Sequence, residues 1–330
     1  MRRRTFLTVS GEGIDVSKAV AADVCLYNKS TQKLLIVKSD DFTASEYPSS
    51  NYSPVGVVVI PGSHDVYGDG SCAVMSLKEM NYNVPDNGSP SYVKIQWGQA
   101  GTDISTLTNY NQVCYVSDYG VTINKDVLGV IDYAYLPSDK FTTVQNPYDK
   151  DTYFYLNDDI YAPSPYNDDD TRNPAYYQTA SPSSSNNAMS DFDGMGNTEI
   201  LCDLATAQSD WKTASSITHE GGSGYSPAAC CCWRYHTEGT KQGDWYLPAM
   251  GELGYMMVKF NKINQTINTL RSAYGSTVGI QVYVSYDGHY WSSSESSSTY
   301  ARYLHTGEGS VGEAFKNSYG NYVRAFLRVK

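Results

Sequence analysis

The chain is short of charge, and what it has is lopsided. Asp, Glu, Lys and Arg make up only 18% of its 330 residues, and 35 acids against 24 bases leave a net charge of −11. A nucleic-acid backbone wants a basic stripe, and the sole arginine cluster is Arg2, Arg3 and Arg4, so a nucleic-acid partner is excluded. Long apolar runs are missing as well. Nothing approaches the roughly 20 residues of a membrane span, so no membrane insertion is expected. The apolar stretch after the arginines is about four residues, against the roughly 7–15 of an export signal, so no signal peptide is recognisable there and the start reads as mature protein.

A disulfide framework is lacking too. The seven cysteines (Cys25, Cys72, Cys114, Cys202, Cys230, Cys231 and Cys232) are odd in number and irregularly spaced, which suits folding in a reducing compartment. Catalytic signatures are absent. None of His64, His219, His236, His289 and His305 sits in an H-E-x-x-H frame, and no Ser sits in a G-x-S-x-G elbow. The YGDGS of 67–71 has no phosphate-loop lysine, no dinucleotide fingerprint opens a helix, and no motif singles out a carboxylate pair. Asp168, Asp169 and Asp170 lack the spacing of a calcium loop. Cys230–Cys232, with His236 their one near partner, read as small core fillers rather than zinc ligands. The expectation is a non-enzymatic protein with no cofactor and no metal.

What the chain has is tyrosine, 30 residues of it, with 27 Gly and 13 Pro that favour a loop-rich fold over a bundle. Residues 23–37 predict two short strands about a polar turn at Asn28–Gln32. Residues 55–60 (VGVVVI) and Cys72–Leu77 predict a hairpin punctuated by GDG, and residues 93–97 (VKIQW) a further strand. Residues 158–196, rich in Asp, Asn, Ser, Pro and Tyr, read as a long excursion or linker. A helix is expected from near Asn197, with Ile200, Leu201, Leu204 and Ala207 on one side, and a second, buried one in AACCCWRYH.

The clearest helix is 248–264, with Pro248 in its first turn, Glu252 near its positive end and an apolar stripe of Met250, Leu253, Met257, Phe260 and Ile263. The end of the chain alternates, Val323, Ala325, Leu327 and Val329 against Arg324, Phe326 and Arg328, and predicts a strand that closes the sheet beside one near the N-terminus.

One stretch stands apart, YVSYDGHYWSSSESSSTYARYLHTGEG at 283–309. Tyr offers large, rigid, amphipathic contact area at low entropic cost, and Ser offers adaptable hydrogen bonds, the pairing that dominates antibody binding loops. The stretch therefore predicts a recognition surface.

GDWYLPAMGEL (243–253), YWSSSE (290–295) and VRAFLRV (323–329), in that order, resemble the C-type-lectin-like fold, in the branch shared by formylglycine-generating-enzyme-like domains and the variable proteins of diversity-generating retroelements, of gut bacterial or phage type. The hairpin of 56–80, with Trp97-Gly98 beyond it, is similar to the opening of such a domain. The resemblance covers about 20–100 and 197–330. It implies a single α+β domain over 1–330 with short antiparallel strands, two helices, long irregular loops and an insertion at about 101–196.

The same resemblance implies a diversified surface, because adenine-directed mutation of Asn codons yields Tyr, Ser, Asp, His, Asn and Arg among others. The positions it assigns to that surface are Tyr283, Ser285, Tyr286, Asp287, His289, Tyr290, Ser297, Ser298, Tyr300, Arg302, Tyr303, His305, Asn317, Ser318, Tyr319, Asn321 and Tyr322. Trp291, Glu295 and the serines between them would be an internal anchor, and the tyrosines at 283, 286, 300, 303, 319 and 322 are expected to be exposed on one face. The E-P-N and Q-P-D motifs of calcium-dependent lectins are absent, as is any cysteine after Cys232, so neither a calcium-held sugar nor an oxidase is implied. The implied function is recognition of a cell-surface protein or glycan, by a phage tail tip or a bacterial adhesin on the cell surface, with homo-oligomerisation or attachment to a tail. The alternative is a structural or assembly module of such a particle or surface.

Overall fold

The computed structural model describes residues 13–64, 67–101, 192–205, 207–222, 224–258, 260–283, 287–306, 310–317 and 320–330, together with the backbone of four short strands between 115 and 156. The tract 158–190, Asp168–Asp170 included, lies outside the described residues.

The first hairpin forms where the sequence places it. β1 (Val24–Asn28) and β2 (Lys33–Val37) pair antiparallel, and Asn28 Oδ1 accepts the Ser30 and Thr31 amides to shape the turn. β3 (Tyr52–Ile60) and β4 (Cys72–Ser76) follow. β5 (Tyr115–Val116) with β6 (Val121–Thr122), and β7 (Phe141–Gln145) with β8 (Thr152–Leu156), are two separate two-stranded ribbons. β9 (Trp245–Tyr246), β10 (His289–Glu295), β11 (Tyr300–His305), β12 (Ser310–Phe315) and β13 (Phe326–Val329) complete the strands.

A six-stranded antiparallel sheet runs β2-β1-β3-β4-β13-β9, and a three-stranded sheet runs β10-β11-β12. The larger sheet is buried on both faces, so its strands read as near-continuous apolar runs. One face carries Cys25, Val58, Cys72, Val74, Leu327 and Val329, covered by α1 (Gly194–Asp203) and α2 (Pro227–Arg234). The other carries Val24, Leu26, Val57, Val59, Ala73, Met75 and Phe326, covered by α3 (Met250–Val258) and α4 (Phe260–Tyr274). The small sheet joins both layers at once, through Trp291 and Ala301 on one face and Tyr290 and Leu304 on the other.

This architecture overturns the C-type-lectin-like expectation. Among the described residues four helices flank a system of six and three strands, where the resemblance implied two helices, short antiparallel strands and long irregular loops. The resemblance to retroelement variable proteins fails with it. The quoted motifs are local: LPA before a helix and an aromatic-Ser-Ser strand satisfy needs of capping and burial that many α+β folds share.

Four sequence expectations are also corrected. Residues 93–97 form no strand; Ile95, Gln96 and Trp97 are buried in succession, and only Ile95 makes a bridge, to Asn321. α1 starts at Gly194, three residues before Asn197, because the Asp193 carboxylate caps it by accepting the Gly196 amide at 3.1 Å. Gly194 is required there, since a Cβ would lie 2.2 Å from Glu252 Oε2. The helix expected over 248–264 begins at Met250 and helical structure runs ten residues past its expected end, over Met250–Val258 and Phe260–Tyr274, with Phe260, Ile263, Ile267 and Leu270 buried. β13 does close the sheet's hydrogen bonding, but between β4 and β9; the N-terminal hairpin lies at the opposite edge.

Candidate functional site

The serine run is scaffold. Ser292 Oγ donates to the Arg302 carbonyl at 2.9 Å, Ser293 Oγ accepts from Asn197 Nδ2 at 3.0 Å, and Ser294 Oγ accepts the Met250 amide at 2.9 Å. Three buried hydroxyls thus tie β10 to β11, α1 and the start of α3. Two tryptophans lock the same strand: Trp97 Nε1 donates to the Ser292 carbonyl at 2.7 Å and Trp291 Nε1 to the Ile95 carbonyl at 2.8 Å. Glu295 is paired with Lys316 in the interior, with the Lys316 ammonium 5.0 Å from the Trp97 ring centre. Glu252 gathers four donors, the hydroxyls of Tyr67 (2.7 Å) and Tyr246 (3.0 Å) and the amides of Ala249 (2.8 Å) and Gly194 (3.1 Å), which pins α3.

Segment 320–322 lies between Ile95 and β10. Ile95 N–H donates to the Asn321 carbonyl at 2.9 Å, Tyr322 N–H to His289 at 2.7 Å, and Trp291 N–H to Tyr322 at 2.9 Å. This seats the Tyr322 ring 5.6 Å from each of Tyr92, Tyr283 and Tyr290, with Tyr92 and Tyr283 4.7 Å apart. The Lys94 ammonium stands 5.4 Å from the Tyr322 ring centre. Tyr92 is 37% exposed, Tyr283 half-buried and Lys94 exposed, so the cluster opens outward on that side.

Its floor is polar and closed. Tyr290, fully buried, donates its hydroxyl to Glu79 Oε1 at 2.9 Å and accepts the Tyr283 amide at 2.9 Å. Arg324 donates Nε to the same Glu79 oxygen at 2.8 Å, and its Nη atoms to the carbonyls of Ser76, Ile280 and Gln281 at 2.9, 2.5 and 2.9 Å. Burial pushes the Glu79 carboxyl upward, and the Arg324 charge and the Tyr290 hydroxyl pull it back. Burial likewise raises the hydroxyl pKa values of Tyr290, Tyr92 and Tyr322, so these phenols stay neutral donors.

A second cluster lies on the other face of β10. His289 and His305 are directly opposite across β10 and β11, their ring centres 4.7 Å apart, and Tyr303 is 4.6 Å from His289. Gly312, opposite Tyr303 on β12, leaves room for that ring: a Cβ there would meet Tyr303 at 2.4 Å. At the far end of β11, the Tyr300 ring packs against Phe315 with centres 4.6 Å apart, and Arg302 pairs with Glu313 at 3.1 Å. Burial lowers the Arg302 pKa, against the opposing pull of Glu313.

The sequence-predicted contacts therefore divide. Tyr283 and Tyr322 share one cluster; His289, Tyr303 and His305 form another, so the tyrosines do not lie on one face. Tyr290, Arg302, His305, Asn321 and Tyr322 are buried, and Tyr290 belongs to the floor rather than the contact layer. Asp287, Ser297 and Asn317 are exposed, and Ser298 and Tyr300 are half-buried. Ser285, Tyr286, Ser318 and Tyr319 lie outside the described residues.

Tyr92 and Lys94 were missed. Tyr92 is 189 positions from Gln281 in sequence, and the Ile95–Asn321 bridge and the bond from the Tyr92 hydroxyl to the Gln281 carbonyl bring this segment to the site.

No group of three or more metal-ligating side chains occurs among the described residues, and none of their helices is long and apolar enough to cross a membrane. No family model, curated protein or solved structure matches the chain.

Proposed function

We propose that this chain is a ligand-binding protein whose Tyr92–Tyr283 surface, backed by the buried Tyr322 ring, recognises a protein or glycan displayed on a cell surface. The observation that supports the reading is the pairing of an outward-facing aromatic cluster with a closed floor. Three rings lie within 5.6 Å of one another over the buried Glu79–Arg324–Tyr290 network, beside a cation. Rings held in place by a rigid floor lose little freedom on binding, which favours affinity.

The test is saturable binding of the labelled chain to glycan arrays and to panels of intact cells, repeated with Tyr92→Ala and Tyr283→Ala. Either substitution should weaken binding at least about tenfold, as loss of an aromatic anchor does, without moving the melting temperature of the exposed Tyr92 variant. Binding that is absent throughout, or indifferent to both substitutions, rejects the reading.

One observation favours an assembly module instead. Phe315, on β12, is 52% exposed and packs against Tyr300 of β11, and β12 ends the three-stranded sheet among the described residues. That reading expects concentration-dependent association that Phe315→Asp abolishes, followed by analytical ultracentrifugation.

A further inference from the structure

The cross-strand pair His289 and His305 has its ring centres at the spacing of a two-imidazole chelate. The neighbouring pair is hydrogen-bonded, Thr306 N–H to the Gly288 carbonyl at 2.7 Å, and antiparallel ladders alternate. His289 and His305 are therefore a non-hydrogen-bonded pair, the position at which facing side chains come closest. Their ring centres are 4.7 Å apart and their planes inclined at 49°. Two imidazole nitrogens at about 2.0–2.1 Å from one ion hold their ring centres roughly 4.5–5 Å apart at coordination angles of about 90–105°. The pair is already spaced for that, on two strands whose positions are set by the Trp291 and Ser292 hydrogen bonds.

We propose that His289 and His305 bind a divalent first-row transition-metal ion through two imidazole nitrogens, leaving its other coordination positions to water or to an incoming donor. No third protein ligand is found among the described residues, so the site is one of open coordination, unlike a closed structural zinc site. Imidazole ligation and the Irving–Williams order give Cu(II) the highest affinity, with Ni(II) and Zn(II) weaker. The proposal stands on the opposite face of β10 from the Tyr92–Tyr283 surface and does not rest on the recognition reading.

The experiment is titration of the untagged full chain with Cu(II), followed by calorimetry and by electron paramagnetic resonance. One equivalent should bind with hyperfine coupling to two imidazole nitrogens. His289→Ala and His305→Ala should each weaken binding about tenfold or more, with circular dichroism confirming that the variants fold. If either variant does not fold, Zn(II) added to the wild-type chain supplies the decision: the imidazole resonances of His289 and His305 should shift together. Unchanged copper affinity in the folded variants, coupling to a single imidazole, or zinc shifts confined to other histidines would each show adventitious binding only and overturn the proposal.

Discussion

Arg324 and Glu79 meet at 2.8 Å with both side chains wholly buried, and through them the segment leading into β13 holds the loop that carries Tyr283. Removing one partner of a buried ion pair leaves an uncompensated charge, which costs about 3–5 kcal/mol. Glu79→Gln keeps the shape and should lower unfolding stability by that amount, seen as a drop in the urea midpoint at an unchanged slope. A loss under about 1 kcal/mol would mean that the guanidinium is satisfied by the carbonyls of Ser76, Ile280 and Gln281 alone.

Tyr290→Phe removes one hydroxyl that serves two partners, the Glu79 carboxylate and the Tyr283 amide. We expect a loss of about 1–3 kcal/mol in chemical denaturation, since both groups lose a buried partner. The same substitution should loosen the 280–283 loop, read as faster hydrogen exchange at the Tyr283 amide. Tyr92→Ala, at the exposed rim, should leave that amide protected. Equal exchange in Tyr290→Phe and wild type would remove Tyr290 from the floor of the site.

Acid should act through Asp86. Its carboxylate receives Arg234 Nε and Nη2 at 2.7 and 2.8 Å and Gln242 Nε2 at 3.0 Å, and these bonds, those from Arg234 above all, hold its pKa below the ordinary 3.8. A depressed folded-state value gives stability that is present above pH 3.8 and is lost as the pH falls through the lower folded value. Asp86→Asn should therefore be less stable than wild type at neutral pH, with the difference closing below pH 3.8. A gap that persists unchanged at lower pH would show that packing, not charge, carries the effect. The partly exposed carboxylate makes this a modest term.

The described cysteines should be chemically silent in the native protein. Cys25, Cys72, Cys202, Cys230, Cys231 and Cys232 are reduced and buried. Burial, with a push from the Asp23 charge, raises the Cys72 thiol to about 12. Iodoacetamide at about pH 8 should label none of the six before unfolding and all of them in urea, as followed by peptide mass spectrometry. Native labelling of Cys230–Cys232 would show that α2 does not pack on the sheet as described.

Much of the local structure could be read from residues alone, because it rests on neighbours in the chain. The β1–β2 hairpin follows from two apolar runs about an Asn-led turn, and α2 from a compact run of small apolar residues. Element boundaries failed where a distant group decides them. α1 starts early because Gly194 can pass against Glu252, 58 positions away, and no local propensity favours a Gly-Met-Gly helix start. Residues 93–97 look like a strand, yet the chain there spends its groups one at a time on Asn321, Ser292 and Gly221.

The candidate site divides in the same way. Composition alone determined that the 283–309 region is rich in contact-forming chemistry, because Tyr, Ser and His are what they are wherever they sit. Which of them face outward is another matter, set by register: in a strand, neighbours point to opposite faces, so Tyr290 enters the core while His289 joins His305. The addition of Tyr92 and Lys94, the partners that the three anchoring serines take on β11, α1 and α3, and the pairing of two histidines 16 residues apart all depend on strand pairing across the chain. Those pairings come from burial of both faces of the sheet, a property of the assembled layers and of no single segment.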